Sequence, residues 1–204
     1  MAVELERRAP KPEAQRLLEL IRSRRSVGKV AQDPPPRELI EQVLEAAVTA
    51  PNHHLTQPWR FFVIAGSARE RLGEAMAAAE SRAHPDSPQA ALDRVRAKPL
   101  RAPVIIAVAV QPSDDPRALE IEEVEAGAAA VQNMLLAAHA LGLAAMWRTG
   151  DAAYADEVKA FLGLDTSAHI IGFIYLGYAA ITPPDPPRRS AAELTQWLGW
   201  GEKA

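Results

Sequence analysis

From Ala126 to Trp147 the chain carries no charged residue. A stretch like that has to be buried on most of its sides. Its length approaches the ~20 apolar residues that a bilayer crossing requires. Yet it is built largely of Ala and Gly, it carries Gln132, Asn133 and His139, and it has no Ile, Phe or dense Leu run. It therefore predicts a helix packed within a core or an oligomer interface, not a membrane span. A second run, Val104–Val110 (VIIAVAV), is apolar without alternation, the pattern of a strand covered on both faces. Helix and strand together call for layers.

Prolines, 17 in all, punctuate the rest. The spacing predicts a helix from about Glu13 to Arg24, with Leu17, Leu18, Leu20 and Ile21 as its apolar stripe. Pro34–Pro36 stop the chain and start a second helix carrying Leu39, Ile40, Val43, Leu44, Ala47 and Val48. Trp59 to Ala65 (WRFFVIA) predicts a buried strand. Ser67 and Glu70 have the spacing of a capping box for a helix from Ala68. The segment 84–100 is expected to be a mobile loop with a helical piece over Ala90–Ala97. The long helix is expected from Leu119 to Leu141, closed by Gly142. A strand over Ala144–Trp147, a helix over Tyr154–Phe161 and a strand over Ile170–Leu176 follow. Beyond them come a proline-rich tail and a short helix over Ala191–Leu198. Helices dominate and the strands are irregularly separated, so the fold class is α+β, a layered sheet flanked by helices. One domain over residues 1–204 is expected, with 1–12 as a flexible arm and 179–204 as a C-terminal extension.

Composition excludes several kinds of chemistry. With no cysteine there is no disulfide, thiolate metal site, iron–sulfur cluster or cysteine nucleophile. A net charge of −3 argues against nucleic-acid and membrane partners. The N-terminus has no apolar stretch behind its basic residues, so a cytoplasmic location is expected. No P-loop, no dinucleotide-binding glycine pattern after a strand and no hydrolase nucleophile elbow is present. His53 and His54 are adjacent and nothing resembles a zinc motif, so no metal site is expected.

Two polar segments remain. Arg24-Arg25-Ser26, at the end of the first helix, sets two guanidinium forks and a hydroxyl together, a grip suited to a phosphate monoester. Cations there also complement the helix dipole. The second, Ala50-Pro-Asn-His-His-Leu-Thr-Gln-Pro-Trp59, joins the second helix to a strand. Its prolines and Asn52 serve the turn; His53, His54, Thr56 and Gln57 remain as a row of donors and acceptors.

This pair of segments, in this order, resembles the nitroreductase family of FMN-dependent oxidoreductases. The resemblance continues through Arg101-Ala-Pro-Val-Ile-Ile106, Gly142-Leu-Ala-Ala-Met-Trp-Arg-Thr-Gly150 and Gly172-Phe-Ile-Tyr-Leu-Gly177, roughly Leu17 to Tyr178. It implies a nitroreductase-like, mostly antiparallel sheet and a homodimer with tightly bound FMN at its interface. NAD(P)H would be the co-substrate and a small-molecule acceptor, a nitroaromatic or quinone, would be reduced by ping-pong hydride transfer. The chemistry would then lie on FMN N5, with no catalytic side chain. The cofactor residues it implies are Arg24, Arg25, Ser26, Thr49, His53, Gln57, Trp147, Arg148, Thr149 and Gly150, with His53 reaching in from the neighbouring subunit. Relatives often carry a basic residue where this chain has Gly28, and an Asn where it has Leu55. Either Arg188 or Arg189 is a candidate for the phosphate. A dehydrogenase or reductive dehalogenase on the same cofactor, and a non-catalytic flavin-binding protein, are the alternatives.

Overall fold

The computed structural model describes residues 13–200; the expected N-terminal arm lies outside them. Ten principal elements follow one another: α1 (Glu13–Ser23), α2 (Arg37–Ala47), β1 (Trp59–Ala65), α3 (Ala68–Ala83), α4 (Gln89–Arg96), β2 (Val104–Val110), α5 (Glu120–Ala140), β3 (Ala144–Arg148), α6 (Asp156–Leu162) and β4 (His169–Gly177). The strands form one sheet in the order β1-β2-β4-β3, and every pairing is antiparallel. β2 is buried at all seven positions, as its unbroken apolar run predicts.

Alternation along β2 divides the core. Val104, Ile106, Val108 and Val110 face α2 and α5, where Val43, Val131 and Met134 are fully buried. Ile105, Ala107 and Ala109 face α3, α4 and α6 through Leu72, Met76 and Val158. The charge-free run does not form one helix. α5 ends at Ala140, Gly142 turns the chain in a left-handed conformation, and β3 takes up the rest. Asn133 uses its amide to hold α2, donating to the Ala46 carbonyl at 3.2 Å and to Thr49 Oγ1 at 3.3 Å.

Several expectations are corrected. β1 is an edge strand, not a buried one: Val63 is 47 % exposed, and Arg60 and Ala65 are exposed too. The Ser67 capping box does not form, because Ser67 already has helical backbone angles and a capping residue needs an extended one. A capping box appears instead at Ser190 and Glu193, opening a short 3-10 turn over Ala191–Leu194 in place of the longer helix expected. Within 84–100 the helical piece forms as expected, as α4, but the segment is not a loop: α4 packs on α3 through the buried Val95, and a 3-10 turn over Lys98–Arg101 follows. The helix expected from Tyr154 is interrupted by the extended residue Ala155, giving a 3-10 turn over Asp151–Tyr154 and then α6.

One irregularity in the sheet positions an aromatic side chain. The β2–β4 register jumps from Val108↔Gly172 to Ala109↔Ile170, leaving Ile171 as the extra residue of a bulge. The Ile171 carbonyl accepts a hydrogen bond from Trp147 Nε1 at 3.0 Å. Gly172, at φ 151°, makes room for the indole: a Cβ there would stand 2.7 Å from Trp147 Cδ1 and 2.8 Å from the Arg148 carbonyl oxygen. Gly172→Ala is therefore expected to cost about 3 kcal/mol of unfolding free energy, from overpacking plus backbone strain. Urea denaturation followed by near-UV circular dichroism measures this; a change below about 0.5 kcal/mol would refute the tight approach.

Candidate functional site

Beyond α1 the chain runs along the free edge of β3. Val27 N–H donates to the Ala145 carbonyl at 3.1 Å, Ala31 N–H donates to Tyr178 at 2.9 Å, and Val30 bridges Ala179. The first polar segment is thereby pinned to a sheet edge. Arg24 and Arg25 line a hollow of about 600 Å³, with Ser23, His139, Thr182 and Asp185 among the other lining residues. It lies between the ends of α1 and α5 and residues 179–185.

The two arginines are not equivalent. Arg25 is engaged already: its Nε donates to Asp185 Oδ1 at 2.8 Å, its Nη2 reaches the same carboxylate, and Nη1 donates to the carbonyls of Arg22 and Arg24. Arg24 Nη1 is buried and has no hydrogen-bond partner. Burial, then the charges of Arg188 and Arg25, lower the pKa of the Arg24 guanidinium below the usual arginine range. An arginine stays charged even so, and with Arg25 paired to Asp185 the Arg24 cation is left without a counter-charge in the hollow. Of the two tail arginines, Arg188 is the one whose charge acts on Arg24; Arg189 pairs with Glu193 at 3.4 Å. Ser26 is exposed next to Arg25.

Arg148, Thr149 and Gly150 stand at the far end of β3, in a second hollow of about 330 Å³ that Lys98, Arg101 and Tyr175 also line. The Arg148 guanidinium lies 5.2 Å from the centre of the Tyr175 ring, and its Nε is buried without a partner. Burial raises the pKa of the Tyr175 phenol, against the opposing charges of Arg148 and Arg101. Gly28 lies against the Arg148 side chain. A Cβ on it would stand 3.1 Å from Arg148 Nη2 and 2.9 Å from Met146 Sδ, so the absent side chain leaves its space to the Arg148 cation. Gly150, at φ 107°, turns the chain out of β3 and leaves Thr149 exposed. The Trp147 side chain is committed to Ile171 and the core.

Thr49, His53 and Gln57 lie elsewhere. Their segment leads into β1, at the opposite edge of the sheet from β3. His53 Nδ1 sits 3.3 Å from Glu122, near the start of α5, whereas Ser23 and Arg24 meet α5 at His139. Seventeen helical residues separate Glu122 from His139, about 25 Å of rise. Within one chain the two corners do not meet. The second corner is strained: His54, Leu55 and Gln57 all have positive φ, of 53°, 55° and 46°. Each such residue costs on the order of 1–3 kcal/mol, and clusters of them mark functional loops. Asn52 holds the loop by accepting from the Gln57 N–H at 3.0 Å.

Sequence reasoning missed Asp185, Tyr175 and His139 as members of these corners; Asn52 serves the turn, as expected. His139 had one signal, as the sole histidine in the charge-free run. Among the described residues no group of three or more His, Asp or Glu side chains could hold a metal ion, and no helix is long and apolar enough to cross a membrane.

Comparison with known proteins agrees with the order of these segments. The nitroreductase family model matches residues 21–178. The Escherichia coli K12 protein named "Putative NAD(P)H nitroreductase YdjA" is 34% identical over 175 residues, covering 83% of this chain and 94% of that one. A solved nitroreductase-like family protein from Bacillus cereus superposes with a TM-score of 0.78 at 26% identity, over 90% of this chain and 96% of that one. A Desulfovibrio desulfuricans structure described as a "putative nitroreductase in complex with FMN" gives 0.71 at 30% identity, over 94% and 99%. The α+β fold, with its antiparallel sheet between helical layers, and the matched residues place this chain in the nitroreductase family.

Proposed function

We propose that the protein is an FMN-dependent NAD(P)H oxidoreductase that works as a homodimer, with FMN held where one copy's β3 edge meets the other copy's short 3-10 turn over His53–Leu55. The observation that carries this reading is the buried, unpartnered Arg24 Nη1 in a hollow whose one carboxylate, Asp185, is already taken by Arg25. An unsatisfied buried donor on a charged group is costly, and a phosphate monoester satisfies it. FMN would supply the two-electron chemistry between NAD(P)H and an acceptor such as a nitroaromatic or a quinone.

The chain's own residues divide the work of holding it. Arg24, Arg188 and Ser26 bind the phosphate, and Arg25, tied to Asp185, holds the tail segment in place beside it. Arg148, in the space beside Gly28, presents a cation to the ring, with Trp147, Thr149 and Gly150 contributing main chain at the end of β3. His53 and Gln57 reach the site only from a second copy, because about 25 Å of α5 separates Glu122, beside His53, from His139 in their own chain; Thr49, bonded to Asn133, lies along α5 between the two corners.

Uncovered apolar residues support the same assembly. No residue of α1 is buried, and Leu17, Leu18 and Ile21 are 57, 41 and 43 % exposed. In the tail Trp197 and Trp200 are 69 and 80 % exposed. A two-fold pairing would cover such surfaces with the same surface of a second copy or with its sheet.

Purified protein is expected to be yellow and to bleach with NAD(P)H under anaerobic conditions; colourless protein that takes up no FMN would overturn the flavin reading. Arg24→Ala is expected to weaken FMN binding by about 1.5–3 kcal/mol, roughly 10- to 150-fold in Kd by fluorescence titration. Arg25→Ala should cost less, since Asp185 already takes its fork. Light scattering should give a dimer mass, and a monomer binding FMN with full affinity would remove the interface.

A further inference from the structure

We propose that His139 is the proton-linked member of the anion site: a phosphate group bound at Arg24 draws a proton onto His139, so FMN is held more tightly as the pH falls through neutrality. This rests on the flavin reading and adds to it a residue that the family resemblance does not supply.

His139 stands in the last turn of α5 and lines the same hollow as Arg24 and Arg25. Its Nε2 lies 2.9 Å from Ser23 Oγ, which also donates to the Leu20 carbonyl at 3.3 Å, so the imidazole is tethered to the end of α1. The charged groups in and around the hollow come from two of the segments that form it. Arg24 and Arg25 come from the α1 end and Asp185 from the tail, where Arg188 also acts on Arg24 through its charge. α5 and β3 contribute none there: the glutamates of α5, Glu120, Glu122, Glu123 and Glu125, stand in its opposite half, and Arg148 stands at the far end of β3. The one carboxylate present, Asp185, is taken by Arg25. No carboxylate touches His139.

In that setting the free protein disfavours the imidazolium. Burial, then Arg24, then Arg25 lower the His139 pKa from its usual value. The helix C-terminus favours a cation, but here the two guanidinium groups outweigh it. A phosphate dianion reverses the field at the imidazole, raising its pKa in the bound state above that in the free state. Binding linkage is reciprocal, so the protonated imidazole must in turn strengthen phosphate binding. Between the two pKa values, binding takes up a proton and affinity falls as pH rises, by up to about tenfold per pH unit for one proton. Above the bound-state pKa the histidine contributes no slope. The second ionisation of the phosphate, near about pH 6, works in the opposite direction and is common to any variant. The difference between proteins therefore isolates His139.

The test is FMN affinity of the apoprotein, by quenching of flavin fluorescence from about pH 5.5 to about pH 8.5, for the wild type, His139→Asn and His139→Gln. Both replacements keep a donor for Ser23 and do not titrate. The affinity ratio of wild type to variant is expected to fall about tenfold across that range. Calorimetry in two buffers of unlike ionisation enthalpy should show greater proton uptake for the wild type near neutrality. The wild-type protein gives an independent check: the His139 ring resonance should titrate at higher pH with FMN than without it. Tight FMN binding with parallel pH curves, or an unmoved His139 titration, would overturn the proposal and leave the flavin reading standing. If the wild type takes up no FMN at any pH, both fall.

Discussion

The Val27–Ala145 main-chain hydrogen bond ties the segment after α1 to the free edge of β3, and the candidate site depends on that attachment. One such bond contributes only about 0.5–1.5 kcal/mol net. Here it belongs to a series, continued by the bonds of Lys29 and Ala31 with residues 178–180. Val27 bonds to β3 itself, and Lys29 and Ala31 pair with the chain just after β4. The attachment places Arg24 at the start of β3 and Gly28 against the tip of the Arg148 side chain, and the two hollows lie at the two ends of one strand. A slip of one residue would turn Val27 out of the core and remove both cations from the edge.

The electrostatics of that edge fit an anionic ligand. Guanidinium groups are ordinarily kept at a surface or paired when buried. Arg24 and Arg148 each have a buried nitrogen with no partner, while Arg25, Arg82 and Arg96 are paired with Asp185, Glu157, Glu74 and Asp93. A buried donor left without a partner costs stability unless an anion satisfies it. Burial, then Arg24 and Arg25, lower the pKa of His139 beside that site.

How much was visible beforehand varied with how local each cause was. VIIAVAV had one available home, a strand covered on both faces, and it is there. Pro34–Pro36 and Gly142 marked boundaries correctly because proline and glycine act through their own backbone angles. Ser67 misled because a capping box depends on the backbone angles of the capping residue, which its spacing does not report. Trp59–Ala65 looked buried from its aromatic content, yet strand order left it at the edge with Val63 in the open. The role of Arg25 could not be read from Arg24-Arg25-Ser26. Its partner Asp185 lies 160 residues away.

The residues by themselves determined the two covered faces, the doubled cation of Arg24-Arg25 at the end of α1 and the membership of the chain in its family, since each rests on composition or on neighbours in sequence. Only the tertiary structure decided which arginine is left unpartnered, that the charge of Arg188 acts on it while Arg189 pairs with Glu193, and that Gly28 yields its space to Arg148. It also set the histidine-bearing turn about 25 Å along α5 from the first corner. The physical reason is the same for each. These outcomes follow from the order and register in which distant strands and helices pack, and charge and hydrogen-bonding groups respond to whatever that packing brings beside them.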